Sequence, residues 1–271
     1  MNKKLFLILI FLLGSNMLYS QWQIQNYYPA YSNTHFITSS GTGWVCGTGV
    51  VRKTTNSGAA WINEYAVTTN ALNDIYFADA NTGWVVGGFG EIFYTSNGGS
   101  NWSAQTSGVP SGLYSVHFAN STTGLASGSG GKIVRTTNGG VLWSVITFNS
   151  GAVVNLTMRS ASVVYATQDN KFIKSTNGGS NWSVVSTLTA GIPALSFVDD
   201  NTGYAAQSSG IVSKTTNAGM NWIDQPTGSS DYIFALHFVN ASTGFFSAAN
   251  NDIYRTTNGG TNWGVVYTPV A

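Results

Sequence analysis

The chain has 271 residues, 11 basic against 10 acidic, and only 8% of its residues are charged, where an ordinary soluble domain carries roughly 25%. So balanced a charge excludes nucleic acid and anionic membrane surfaces as partners, since both need a strong basic excess. One cysteine, Cys46, permits no disulfide within the chain, so stability must come from packing.

The first twenty residues read as a secretory signal peptide. Lys3 and Lys4 precede an apolar run of ten, LFLILIFLLG (5–14), and the segment closes on MLYS before Gln21. Ten apolar residues are too few to span a bilayer. An exported chain, secreted, periplasmic or at the cell surface, follows as the expectation, with no membrane insertion after cleavage. Residues 21–271 then form a single domain.

Beyond Gln21 the chain is periodic. Trp22, Trp61, Trp102, Trp143, Trp182, Trp222 and Trp263 are spaced by 39, 41, 41, 39, 40 and 41 residues. The last six each close one phrase: TTNSGAAW (54–61), TSNGGSNW (95–102), TTNGGVLW (136–143), STNGGSNW (175–182), TTNAGMNW (215–222) and TTNGGTNW (256–263). A period near 40 is the mark of a repeat architecture. Within one unit the pattern predicts four short strands: LNDIYFAD (72–79), WVVGG (84–88), EIFYTS (91–96) and WSAQTS (102–107), with turns at Ala-Asn-Thr-Gly, at Phe-Gly and at the phrase. Four strands per forty residues predict an all-β propeller with one unit per blade. Six units begin near His35, Asn73, Tyr114, Val153, Pro193 and Tyr232. Before them lies WQIQ (22–25), which matches a closing strand. The expectation is six blades, with seven as the alternative. In the fourth unit Val163 is read at the place of its sisters' turn glycine.

Each constant part of the phrase has a mechanical reason. The first hydroxyl and the third-position Asn (Asn56, Asn97, Asn138, Asn177, Asn217, Asn258) are suited to binding backbone amides across a turn. The fifth-position glycine (Gly58, Gly99, Gly140, Gly179, Gly219, Gly260) supplies a positive φ. The tryptophan (Trp61, Trp102, Trp143, Trp182, Trp222, Trp263) places an apolar face in the core and its indole N–H on a partner. Six neutral amides make a poor calcium site. The phrase is therefore expected to be structural, with no metal and no cofactor.

The phrase resembles the Asp box of the bacterial neuraminidase repeat, with Asn in place of the usual Asp. The fuller pattern, FVDxNTGW…G…I(Y)RTTNGGxNW, resembles the photosystem II assembly/stability factor family and its secreted bacterial relatives along essentially the whole mature chain. That resemblance implies a non-enzymatic assembly helper that binds a membrane-protein partner. Members of that family are thought to hold the partner with arginine clusters. Here the residue before each phrase is Lys53, Tyr94, Arg135, Lys174, Lys214 or Arg255, basic in five of six units. These cations are one candidate partner-binding set. Stems that cover the neighbouring unit while their charges reach water fit the same residues.

Asp boxes also occur in sialidases and xyloglucan-degrading hydrolases, so catalysis must be weighed. Glycoside hydrolysis needs two carboxylates on one face. Glu91, Asp169 and Asp252 fall on turns between second and third strands, where Asp also serves as a turn former. Four arginines follow the leader, no Phe-Arg-Ile-Pro segment is present, and the loops are short. No catalytic residue is assigned, and a glycoside hydrolase of xyloglucanase or sialidase type is the alternative. His117 and His237 share one repeat position, two ligands at most and a weak metal site. The remaining binding candidates are Tyr27, Tyr28 and Tyr31, in a stretch the repeat does not require, and Phe89 at a hairpin tip. The expected partner is an envelope or extracellular protein or a surface glycan, and the chain is expected to be a monomer.

Overall fold

A computed structural model describes residues 34–37 and 41–268. The leader, Trp22–Gln25 and Tyr27, Tyr28 and Tyr31 lie outside the described residues. Among the described residues no helix is long and apolar enough to cross a membrane.

The chain divides into two compact units, one ending at Ala161 and the other running from Ser162. The first holds β1 (Thr34–Ile37), β2 (Gly43–Cys46), β3 (Thr48–Thr54), β4 (Ile62–Phe77), β5 (Gly83–Gly87), β6 (Ile92–Thr95), β7 (Ser103–Gln105), β8 (Leu113–Phe118), β9 (Gly124–Gly128), β10 (Lys132–Thr136), β11 (Ser144–Thr147) and β12 (Val153–Met158). The second holds β13 (Val164–Gln168), β14 (Lys171–Ser175), β15 (Ser183–Thr187), β16 (Ala194–Phe197), β17 (Gly203–Ala206), β18 (Ile211–Thr215), β19 (Ile223–Pro226), β20 (Ile233–Phe238), β21 (Gly244–Ala248), β22 (Ile253–Thr256) and β23 (Gly264–Tyr267). Neighbouring strands within each sheet pair antiparallel, as in the meanders β8–β11, β16–β19 and β20–β23.

Among the described residues the strands form five sheets, not the expected six blades nor the alternative seven, because β1 to β7 make one sheet of seven strands. The cause is β4, sixteen residues long. Its first part pairs with β3, from Lys53↔Ile62, and its last part pairs with β5, through Phe77↔Gly83. Every later junction between repeats carries chain breakers: SGVPSG (107–112), NSG (149–151), LTAGIP (188–193) and PTGSSD (226–231). Residues 62–77 contain neither Gly nor Pro, so nothing interrupts the strand. It bulges instead, between Val50↔Ala66 and Thr48↔Ala71. Opposite the bulge, Gly49 has φ 76° and a side chain there would collide with the Thr68 carbonyl oxygen.

Packing between neighbouring repeats uses one aromatic arrangement. Trp84 stacks on Phe118 of the next repeat with ring centroids 3.5 Å apart, and Trp143 meets the same Phe118 edge-on at 5.9 Å. Trp44, Phe77 and Trp102 repeat this at 3.6 and 6.0 Å, and Tyr204, Phe238 and Trp263 at 3.4 and 5.7 Å. The Thr-Gly glycine makes room for the ring. A Cβ on Gly83 would lie 2.7 Å from Phe77, and one on Gly203 2.6 Å from Phe197.

The fourth repeat carries Val164 at this place, not Val163. Val164 pairs with Ser175 as Gly83 pairs with Thr95. Six residues earlier, where the sisters carry Phe, stands Met158. Ring and glycine are thus exchanged together.

Candidate functional site

The phrase closes the same turn six times. In TSNGGSNW, Thr95 Oγ1 donates to Asn97 Oδ1 (3.0 Å) and accepts from the amides of Asn97 (3.3 Å) and Gly99 (3.0 Å), while Asn97 Oδ1 accepts from the Asn101 amide at 2.9 Å. The same four bonds recur around Asn56, Asn138, Asn177, Asn217 and Asn258. Gly58, Gly99, Gly140, Gly179, Gly219 and Gly260 lie at φ between 83° and 89°, and the residue before each is left-handed too. A further amide ties each turn back to its own sheet, as Gly98 N–H does to Asn81 O at 2.8 Å. All six hydroxyl residues, from Thr54 to Thr256, are buried. These bonds use up the side-chain oxygens, and the phrase works as a clasp.

The tryptophans are less uniform than expected. Trp143 Nε1 donates to Gln105 Oε1 (3.1 Å), Trp182 to Gly179 O (2.9 Å) and Trp222 to Ser186 Oγ (3.0 Å). The indole nitrogens of Trp102 and Trp263 are buried without a partner, so the expected bond is missing there. Gln225 Oε1, in the place of Gln105, is likewise buried and unpartnered.

The cations before the phrase sit over the aromatic residue paired with them on the second strand. Lys53 Nζ lies 5.2 Å from the Trp44 ring centre and donates to Gly98 O at 3.0 Å. Lys174 lies 5.4 Å from Tyr165, Lys214 5.4 Å from Tyr204, and the Arg255 guanidinium 5.8 Å from Phe245. Arg135 pairs with Leu125, which has no aromatic face, and is half-buried like the others. Arg255 Nε is buried with no hydrogen bond. The stems cover aromatic rings, and Lys53 also fastens the next repeat's turn.

The carboxylates of the hairpin tips have structural occupations. Thr68 Oγ1 and Asn70 Nδ2, on the β4 bulge, both donate to Glu91 Oε1 at 2.9 Å. Asp252 accepts from Thr268 Oγ1 (2.7 Å) and Asn250 Nδ2 (2.9 Å). Asp169 is exposed at φ 56°, an ordinary turn former. In the first turns, Asp79 Oδ1 accepts from the amides of Asn81 and Thr82, and Asn120 and Asn240 do the same. Desolvation acts to raise the Asp79 carboxyl, but those donors outweigh it and hold it below the usual range.

His117 is partly buried, with its ring 4.5 Å from that of Tyr76 and Nδ1 without a hydrogen bond. Desolvation, helped by the Arg159 charge, lowers it from 6.5 to about 4, against a backbone bond at Phe118 that acts the other way. His237 is exposed. Among the described residues no group of three His, Cys, Asp or Glu is placed to hold a metal. Cys46 is buried.

Phe89 stands apart. It lies between Gly88 and Gly90 at the β5–β6 tip, 74% exposed, at φ 57° and ψ 27°. An open groove of ≈ 450 Å³ lies beside it, bounded by Glu91, Gln105, Thr106, Val109 and Pro110 among others. The sequence marked Phe89, but neither the groove nor the Glu91 tie was legible, because both depend on the β4 bulge and the 107–110 loop folding against the tip.

The profile of the family described as "Photosynthesis system II assembly factor YCF48" matches residues 20–137. No curated protein matches the chain. Among solved structures, YCF48 from Cyanidioschyzon merolae aligns with a TM-score of 0.72 at 18% identity, over 88% of this chain and 86% of that one. A structure titled "YCF48 bound to D1 peptide" gives 0.76 at 18%, over 92% and 85%. The GH74 enzyme of Niastella koreensis gives 0.72 at 15%, but the chain spans only 46% of that enzyme. At these identities the structures establish the fold alone. The chain is an all-β propeller of Asp-box type that resembles the photosystem II assembly factor.

Proposed function

We propose that this chain is an exported, non-enzymatic binding or assembly module that presents a propeller surface to a protein partner. The observation that carries the reading is the employment of the tip carboxylates. Glu91 holds the β4 bulge and Asp252 holds Thr268 and Asn250, whereas a glycosidase keeps a pair of carboxyls facing its substrate. The likeness to a YCF48 structure bound to a peptide supports a protein rather than a glycan as partner. Export rests on the apolar leader (5–14), which is the reason to place the partner in the envelope or outside the cell. The cations Lys53, Arg135, Lys174, Lys214 and Arg255 remain a candidate contact set, with Tyr27, Tyr28 and Tyr31, and the working unit is a monomer. Affinity capture from the native envelope fraction, with identification of the retained protein, tests the reading. One reproducible protein, lost when Arg135→Ala and Arg255→Ala are combined, is expected if the cations make the contact. Release of reducing ends from xyloglucan, or of sialic acid from sialyllactose, would overturn the reading in favour of the GH74-like alternative.

A further inference from the structure

We propose that the groove beside Phe89 is a docking site for an extended peptide that carries a basic residue next to an apolar one. The inference rests on the protein-partner reading above and gives that partner a place and a chemistry.

The backbone at Phe89 is the first observation. Left-handed φ is unfavourable for a residue with a Cβ, and the tips of other repeats place residues there that tolerate it: Gly130 at φ 64°, Asp169 at 56° and Asn251 at 68°. Phe89 meets that strain while standing 74% exposed, so folding recovers little apolar burial from it. Strain kept at an exposed aromatic points to a use outside the fold.

The second observation is the groove itself. Its wall is fixed, because Gly90 packs so closely on the 107–110 loop that a side chain there would strike the Val109 carbonyl oxygen. Ser107 Oγ bonds Val109 N and Val109 O at 3.2 Å each, which holds the loop's shape. Pro110 and Thr106 are exposed along it. One side is β7, the last strand of its sheet. A terminal strand leaves one edge of backbone donors and acceptors open, the feature that extended peptides add to.

Charge selects the occupant. Glu91 is the one charged residue of the groove lining. Both donors to its Oε1 are neutral, and its Oε2 is shielded from solvent with no hydrogen-bond partner. The carboxylate charge is therefore not cancelled by those contacts, and it acts through a partly buried path where screening is weak. A lysine or arginine suits such a place, its stem along Phe89 and Pro110. A neutral glycan offers the carboxylate no opposite charge, and an acidic one is repelled.

The test is selection of random dodecapeptides displayed on phage against the immobilised full chain, followed by titration of the synthesised winners. Selected sequences are expected to pair Lys or Arg with an apolar residue. Phe89→Asn should weaken them at least tenfold while leaving the thermal midpoint unchanged or higher, since Asn tolerates the tip conformation. Glu91→Gln, which keeps an acceptor for Thr68 and Asn70, should remove the preference for the basic residue. Winners that bind Phe89→Asn as tightly, that lack basic residues, or that neutral oligosaccharides displace would overturn the groove. So would a Phe89→Asn protein that melts earlier, which would make the ring a packing element. If peptides are selected but ignore Phe89, the protein-partner reading stands without this site. If no peptide is selected, the groove falls, and the envelope capture decides the protein-partner reading by itself.

Discussion

The two compact units meet the same packing demands with different side chains. In the first, Trp84 stacks on Phe118 and its Nε1 donates to the clasp carbonyl of Gly139 at 3.2 Å. In the second, Tyr204 stacks on Phe238 but its hydroxyl donates to Ala241 O at 2.8 Å, on the turn between first and second strands. The end of the second strand differs too. Gly87 and Gly128 let the preceding backbone approach so closely that a Cβ would strike a carbonyl oxygen. Buried Gln207 fills the same place in the second unit, where its Oε1 accepts from Thr189 Oγ1 and the Ala190 amide at 2.7 and 2.9 Å. The clasp bonds, by contrast, are identical in both units. A repeat conserves the bond it must make, and the residue that makes it is free to change wherever another reaches the same space.

That contrast can be broken most forcefully at the ring-and-glycine pair. Gly83→Val should cost about 3 kcal/mol by overpacking against Phe77. Adding Phe77→Met, which recreates the residue combination of the fourth repeat (Met158 and Val164), should recover part of that loss in denaturant titrations. No recovery would show that the fourth repeat tolerates its valine for another reason. The clasp should give equal costs in the two units. Thr136→Val and Thr215→Val each leave two amides without their acceptor, for about 2 kcal/mol each. A cost confined to one unit would mean the clasps are not equivalent.

Titration separates the units more gently. His117, lowered to about 4 from 6.5, takes up its proton more readily in the unfolded chain. Its contribution is complete above pH 6.5 and is lost as the pH falls from there toward 4. His117→Gln should flatten that part of the acid limb in pH-dependent melting, more than His237→Gln at the exposed counterpart. Least of all should follow from Asp79→Asn, because Asn120 and Asn240 already serve that turn. Stability near pH 7 should stay within a few tenths of a kcal/mol. Asp79 is held below its usual range, so its contribution is present above the unfolded pKa and fades as the pH falls through the folded one. The variant should therefore lose slightly less stability than the parent below pH 4.

The repeat was legible because tryptophan is rare and its spacing of 39 to 41 residues needs no structure to count. The clasp was legible as well, since hydroxyl, amide and glycine sit within five residues and bond locally. Phe89 could be picked out as an apolar residue where glycine or asparagine would serve. Hidden from the sequence were the partners that lie far apart in the chain: the Phe118 ring between Trp84 and Trp143, the Glu91 tie to Thr68 and Asn70, and the unpartnered indoles of Trp102 and Trp263. Sequence alone determined a β architecture of forty-residue units, because strand alternation and turn chemistry are local. Tertiary structure decided that the first two repeats share β4, that glycine and ring are exchanged together, and that a groove opens beside Phe89. Those outcomes depend on which atoms meet across strands and repeats, and packing at that range is not written in any single stretch of chain.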